Sequence, residues 1–369
     1  MVSKRNGFVI FFLLGAICGR AQVPFFQHYS LLKNKSPLVN TVYQDKTGFM
    51  WFGTNEGLFK FDGSLFQQFT SADSLPDNSI MSIAEDSLGR IWTGHKNGGI
   101  AIIDRSKITK FNPAEGLPTQ AISDILFDRK GNLWFGTLND GLYYFNNDRL
   151  YRLDEQDGMP DLFVYDLAED EEGNIWAGTD GGLAVCSLKD SKADIRVIDS
   201  KNGLPDNIVR KLEVVNNTVW IGTEDVGVFT YDRTTEKFQS IVTGNWPYGY
   251  VSDFTLKGNQ LWISCPQFGI AVFESTTGQI KLYGEKSGPE FMSANALLAD
   301  AEGNIWVASK AGVMRTYGDY IEYIEAINPA RDQSIVAVAK DKQDAVWFAN
   351  SEGLFKFSTN AFGISLLPC

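Results

Sequence analysis

The stretch Ile122 to Asn146, ISDILFDRKGNLWFGTLNDGLYYFN, is one unit of a pattern that returns along nearly the whole chain. Reduced to a template, it is an apolar-alternating run, Asp-x-x-Gly, a short run ending in Trp-x-Gly-Thr, a polar pair, Gly-Leu and another alternating run. Tryptophan anchors eight copies, at Trp51, Trp92, Trp134, Trp176, Trp220, Trp262, Trp306 and Trp347, spaced by 41, 42, 42, 44, 42, 44 and 41 residues. Of the nine tryptophans only Trp246 falls outside the series. A fixed period of this length means a repeat architecture, in which each unit buries its apolar face by stacking on its neighbours.

The content of each period is strands. Ile122 to Asp128 alternates, Leu133 to Thr137 is short and aromatic, Leu142 to Asn146 is again aromatic-rich, and Arg149 to Asp154 supplies a fourth run. Four strands per roughly 42 residues is a propeller blade. The turns agree. Asp and Gly at the first and fourth positions of Asp128-Arg129-Lys130-Gly131 suit a type I turn, and the pair recurs at Asp45/Gly48, Asp86/Gly89, Asp170/Gly173 and Asp300/Gly303. Helix signals are absent. The repeated tryptophan is expected to fill the wedge between blades as core, and each turn aspartate to bind local backbone amides and not calcium.

Residues 1–21 read as a signal peptide: Lys4 and Arg5 form a basic start, Gly7 to Ile17 is apolar but short for a membrane span, and Gly19-Arg20-Ala21 offers small residues for cleavage before Gln22. The propeller is then residues 22–369, and the protein is expected to be periplasmic or otherwise exported, with no later membrane span. Losing Lys4, Arg5 and Arg20 leaves 30 basic against 45 acidic residues, a formal charge of −15. Nucleic acid and anionic membranes are poor partners for such a surface. With only Cys186, Cys265 and Cys369 left, and the first two separated by two blades, buried free thiols are expected and not a disulfide.

Phe25 to Ser30 matches Leu65 to Thr70, the outer strand of the first copy, and so is a spare outer strand. Placed beside the last copy, Ser334 to Phe357, it would close an eight-bladed ring, the preferred architecture; a seven-bladed ring with an orphan eighth blade is the alternative. Between outer and next inner strands lies a second signature: Ser74-Leu75-Pro76, Gly116-Leu117-Pro118, Gly158-Met159-Pro160 and Gly203-Leu204-Pro205. These loops must emerge on one face, and the later copies, Asn245-Trp246-Pro247 and Gly288-Pro289, depart from the pattern.

Asp-x-x-Gly with Trp-x-Gly-Thr, and Gly-Leu-Pro between copies, resembles the two-component regulator propeller repeat, over about Gln22 to Phe357. The resemblance implies the exported sensor region of a hybrid or related histidine kinase that monitors carbohydrates. In that family two seven-bladed propellers usually precede a β-sandwich, a membrane helix and a kinase, none of which this sequence shows. A second propeller or a sensor-kinase chain is therefore an expected partner, with an oligosaccharide or other small ligand.

Catalytic and metal chemistry has little to build on. His28 lies in the spare strand, His95 takes the threonine position of its repeat, and neither has a sequence partner; no metal or cofactor is expected. Aromatic residues do gather on the variable loop face: Phe163, Tyr165, Trp246, Tyr248, Tyr250 and Phe291, with Arg210, Lys211 and Arg331 in equivalent places. Flat apolar faces suit sugars, and a guanidinium or ammonium suits a uronic acid. Phe163 and Phe291 have an alternative place in blade packing. The reading is thus a ligand-binding sensor propeller and not an enzyme, with a propeller lyase or glycosidase, or an interaction scaffold, as alternatives.

Overall fold

The computed structural model describes residues 26–32, 36–189, 192–241, 249–287, 289–316, 337–340, 346–350, 353–357 and 365–367. Phe25–Gly318 form one compact unit, and Asp319–Cys369 belong to another. The first unit is a ring of seven four-stranded antiparallel sheets. Six have four successive strands each, and the seventh is Ala294–Ala299, Ile305–Ser309 and Gly312–Thr316 completed by Phe26–Tyr29. Among the described residues no α-helix occurs, only short 3₁₀ turns.

The ring has seven blades, which corrects the eight-bladed expectation. The spare strand Phe26–Tyr29 does not pair with the eighth copy; it lies antiparallel to Gly312–Thr316, His28 opposite Met314. Side-chain fit explains the choice. The Phe26 ring meets Phe291 edge-on at 4.9 Å and Trp262 at 6.4 Å, while Tyr29 stacks on Trp306 at 5.4 Å. With its outer slot filled, blade seven packs on blade one: Trp306 and Ala308 share a core with Val39, Val42 and Phe52. Copy eight forms its own four-stranded sheet, Ala337–Lys340, Val346–Asn350, Gly353–Phe357 and Ser365–Leu367, in the other unit.

Each recurring residue has a physical task. The turn aspartate accepts backbone amides and also the indole N–H of its own blade's tryptophan: Asp128 takes Lys130 N at 3.0 Å, Asn132 N at 2.8 Å and Trp134 Nε1 at 3.0 Å. The same indole bond occurs at Trp51, Trp92, Trp176 and Trp306, at 2.7 to 2.9 Å. A buried indole N–H left unpaired would be costly, so the aspartate is what lets these five tryptophans be core, while Trp262 of blade six donates to Gln260 Oε1 at 3.1 Å. Trp134, 1% exposed, packs on Leu167 and Ile175 of the next blade. The glycine of Trp-x-Gly-Thr allows close blade contact: a Cβ on Gly136 would lie 2.7 Å from Val164 Cγ1 of blade four.

The innermost strands are edge strands whose backbone groups need partners. Side chains of the neighbouring blade supply them. Asn40 Nδ2 donates to Ile80 O at 2.8 Å, Ser123 Oγ to Val164 O at 2.6 Å, and Asn295 Nδ2 to Val39 O at 3.3 Å, the last joining blade seven to blade one. A β-bulge at the start of six inner strands aims these residues: the register slips at Val39/Thr41, Ile80/Ser82, Ile122/Asp124, Val164/Asp166, Val209/Lys211 and Ala294/Ala296.

Candidate binding face at the ring centre

Two residues at the start of each of the seven inner strands, six of them bulged, reach the mouth of the central channel, where they line a recess of about 150 Å³. Its wall is almost wholly polar. The second bulge positions carry Thr41, Ser82, Asp124, Asp166, Lys211 and Ala296, and the regular inner strand of blade six contributes Asp253. Lys211 is the hub. Its ammonium is 3.1 Å from Asp166 of blade four and 3.6 Å from Asp253 of blade six, so one side chain ties three blades. The carboxylates also cap edge amides: Asp124 accepts Leu167 N at 3.0 Å, Asp166 accepts Leu212 N at 2.7 Å, and Asp253 accepts Leu297 N at 2.7 Å.

Electrostatics follow from this crowding. Burial works against the Lys211 ammonium, but the charges of Asp166, Asp253 and Asp124 outweigh it and raise its pKa. Burial first, and the charge of Asp166 second, push the Asp124 carboxyl up to about 8, against the pull of Lys211. Burial likewise pushes Asp253 up to about 6, against the pull of Lys211.

Above the recess, three of the residues expected from the sequence gather on blades four to six. The Arg210 guanidinium lies over the Tyr165 ring at 4.1 Å and bonds Glu224 at 2.6 Å, and Tyr165 donates to Asp180 at 2.8 Å. Burial and the bond to Asp180 push the Tyr165 phenol up to about 12. The phenol of Tyr250, 36% exposed, is raised by burial and then by the charge of Glu224. Phe163 stands apart, bridged to Leu138 and also 36% exposed.

Other expectations are placed elsewhere. Phe291 is 3% exposed in the aromatic cluster around Phe26, so it is core and does not face a ligand. Arg210 and Lys211 are each held by carboxylates, Arg210 by Glu224 and Lys211 by Asp166 and Asp253. Trp246, Tyr248, Arg331 and Cys369 lie outside the described residues. Cys186 and Cys265 are buried free thiols. His28 lies 3.5 Å from Glu290. His95 is wholly buried between Thr93 Oγ1 at 3.1 Å and the Asp77 carbonyl at 2.9 Å, and burial drives its pKa down to about 4. The carboxylates Asp124, Asp166 and Asp253 belong to none of the motifs that define the repeat. Aligning the copies on the start of each inner strand, the position that carries Thr41 and Ser82, would have found them.

Comparison with known proteins agrees with this geometry. Residues 35–56, 74–97, 116–139 and 158–181 match the family described as two component regulator propeller. Among solved structures, this chain is similar to the extracellular domain of a protein described as a hybrid two component system from B. thetaiotaomicron, at 22% identity over 92% of this chain and 46% of that one, with a TM-score of 0.67. A second such domain from the same organism gives 20% identity over 94% and 55%, with a TM-score of 0.65. The chain thus spans about half the length of these domains. A virginiamycin B lyase from Staphylococcus aureus is similar at 15% identity over 79% and 98%, with a TM-score of 0.62. No curated protein is matched. At these identities the solved structures attest the fold, whereas the matched segments attest the repeat. In those four segments, which fall in blades one to four, the chain carries the two-component regulator propeller repeat.

Proposed function

We propose that this propeller is an exported ligand-sensing module that binds a carbohydrate on the loop face around its channel and acts on a kinase through a further propeller or a sensor-kinase chain. The observation that carries the reading is the Tyr165–Arg210–Tyr250 rim above a polar recess, on the face where the loops depart most from the repeat. The likeness to extracellular domains of hybrid two component systems supports the sensor role and the exported location. The recess of about 150 Å³ is below the roughly 300 Å³ at which small-molecule sites begin, so a sugar would rest on the rim with one group dipping inward. Signalling would follow by population shift, the ligand favouring one arrangement of paired domains.

Enzymatic turnover finds less support. The lyase-like neighbours share the fold, but at the ring centre Lys211 and Arg210 are each held by carboxylates, and His95 is sealed away from it. The test is thermal unfolding of residues 22–369 against a panel of oligosaccharides. A raised midpoint that disappears in Trp246→Ala and in Tyr165→Ala supports sensing at this rim, because a ligand that prefers the folded state stabilises it by mass action. A folded protein with no shift for any glycan overturns direct sensing by this propeller.

A further inference from the structure

A larger opening lies away from the centre, at blade two. This cleft holds about 420 Å³, within the roughly 300–1,000 Å³ of small-molecule sites. Three departures from the repeat converge on it. In other blades the threonine hydroxyl closes the turn after the second strand: Thr54 donates to Gly57 O, Thr137 to Gly141 O and Thr179 to Gly182 O. His95 replaces that threonine, and its Nδ1 engages Asp77 O of the preceding loop. Next, Gly98 and Gly99 both have positive φ, and a Cβ on Gly98 would lie 2.2 Å from Pro118 O, so the turn runs hard against the following loop.

That following loop is the third departure. After blades one, three and four, Thr70, Asp154 and Asp199 cap a 3₁₀ turn, and Leu75, Met159 and Leu204 are buried beneath it. After blade two Asn112, Pro113 and Glu115 stand at the corresponding places, yet no 3₁₀ turn forms. Glu115 reaches instead to Leu150 N at 3.3 Å and Arg149 at 4.0 Å. Leu117 is left half-buried and lines the cleft.

The lining has a definite chemistry. Pro76, Phe111 and Leu117 give an apolar side, and Asn97, Asn112 and Lys110 give polar groups at exposed positions. Asp77, the acidic residue of the lining, is spent on backbone: its Oδ1 accepts Ser79 N at 2.6 Å and its Oδ2 accepts Asn97 N at 3.3 Å. Lys110 makes no ion pair among the described residues. At the ring centre, by contrast, both cations are paired.

We propose that this cleft is a second binding site, for a small hydroxylated carboxylate such as a uronic acid. Lys110 meets the carboxylate, the amides of Asn97 and Asn112 meet hydroxyls, and the apolar ring face rests against Leu117 and Pro76. The site is independent of the central rim, and the test separates the two. Residues 22–369 are titrated calorimetrically at low salt with digalacturonate and with cellobiose. Expected are binding of digalacturonate, at least about tenfold weaker binding of cellobiose, and a further loss of about tenfold or more in Lys110→Glu, with Lys110→Arg retaining affinity. Trp246→Ala leaves this binding unchanged. Lys110 is exposed at a strand end, so its variants fold, as circular dichroism checks. Equal binding of cellobiose, indifference to Lys110→Glu, loss in Trp246→Ala or no binding of digalacturonate each overturns the proposal.

Discussion

Gly136 and Val164 offer a quantitative test of how adjacent blades fit. Gly136 has no positive φ, so alanine there would ordinarily stabilise by about 0.4–1 kcal/mol through the unfolded chain. Here its Cβ would meet Val164 Cγ1 at 2.7 Å and Ser123 Oγ at 2.9 Å, and Val164 is fully buried. Overpacking should reverse the sign, to a net loss of about 1–3 kcal/mol. Val164→Ala alone should cost about 2–3 kcal/mol for the lost methyls and the cavity. Blade six shows the complementary solution: Ser264 takes the glycine position and faces Ala294, bonding its carbonyl at 2.8 Å. The double variant Gly136→Ala with Val164→Ala should therefore cost about 1–2 kcal/mol less than the sum of the singles. Urea unfolding of the four proteins at constant m reads this directly. Additivity to within about 0.5 kcal/mol would refute the idea that glycine is there to admit the next blade's branched side chain.

Other outcomes follow from single groups. Asp128→Ala strips a buried acceptor from Trp134 Nε1 and two amides and should cost about 3 kcal/mol, read by urea unfolding, with little loss in a variant where an exposed turn residue such as Lys130 is changed. Phe26→Ala should cost about 3–4 kcal/mol, because the ring lies in the aromatic cluster that closes the ring of blades. His95 is held neutral when folded, with a pKa of about 4 against 6.5 unfolded, so stability is full above pH 6.5 and falls as pH drops toward 4. The loss is about 3 kcal/mol, and His95→Thr, which restores the threonine of blades one, three, four and five, should flatten that part of the pH profile.

The blade was legible because its determinants are local. Asp128, Gly131, Trp134 and Gly136 lie within nine residues and satisfy one another, so period and composition suffice. The number of blades was not, since every copy carries the same local pattern and closure is decided by whether Phe26 and Tyr29 fit blade seven or blade eight. Their partners lie nearly three hundred residues away. The rim was legible in part: Tyr165, Arg210 and Tyr250 were found from their place after each loop. What escaped was pairing across blades. Asp166 and Asp253 hold Lys211 from the blades on either side, relations that no spacing within one copy reveals.

Joining His28 to Met314 also sets an order of events in folding. The first strand to emerge is the last to be used: it must wait, unpaired, until Gly312–Thr316 has been made. Closing a loop of that span costs about 5 kcal/mol of chain entropy by the logarithmic law, and contacts so distant in sequence make for slow folding. Until then the third strand of blade seven presents a bare edge, open to strands of other molecules. The N-terminal strand thus acts as a timing device as well as a clasp: the ring cannot finish before its last blade arrives.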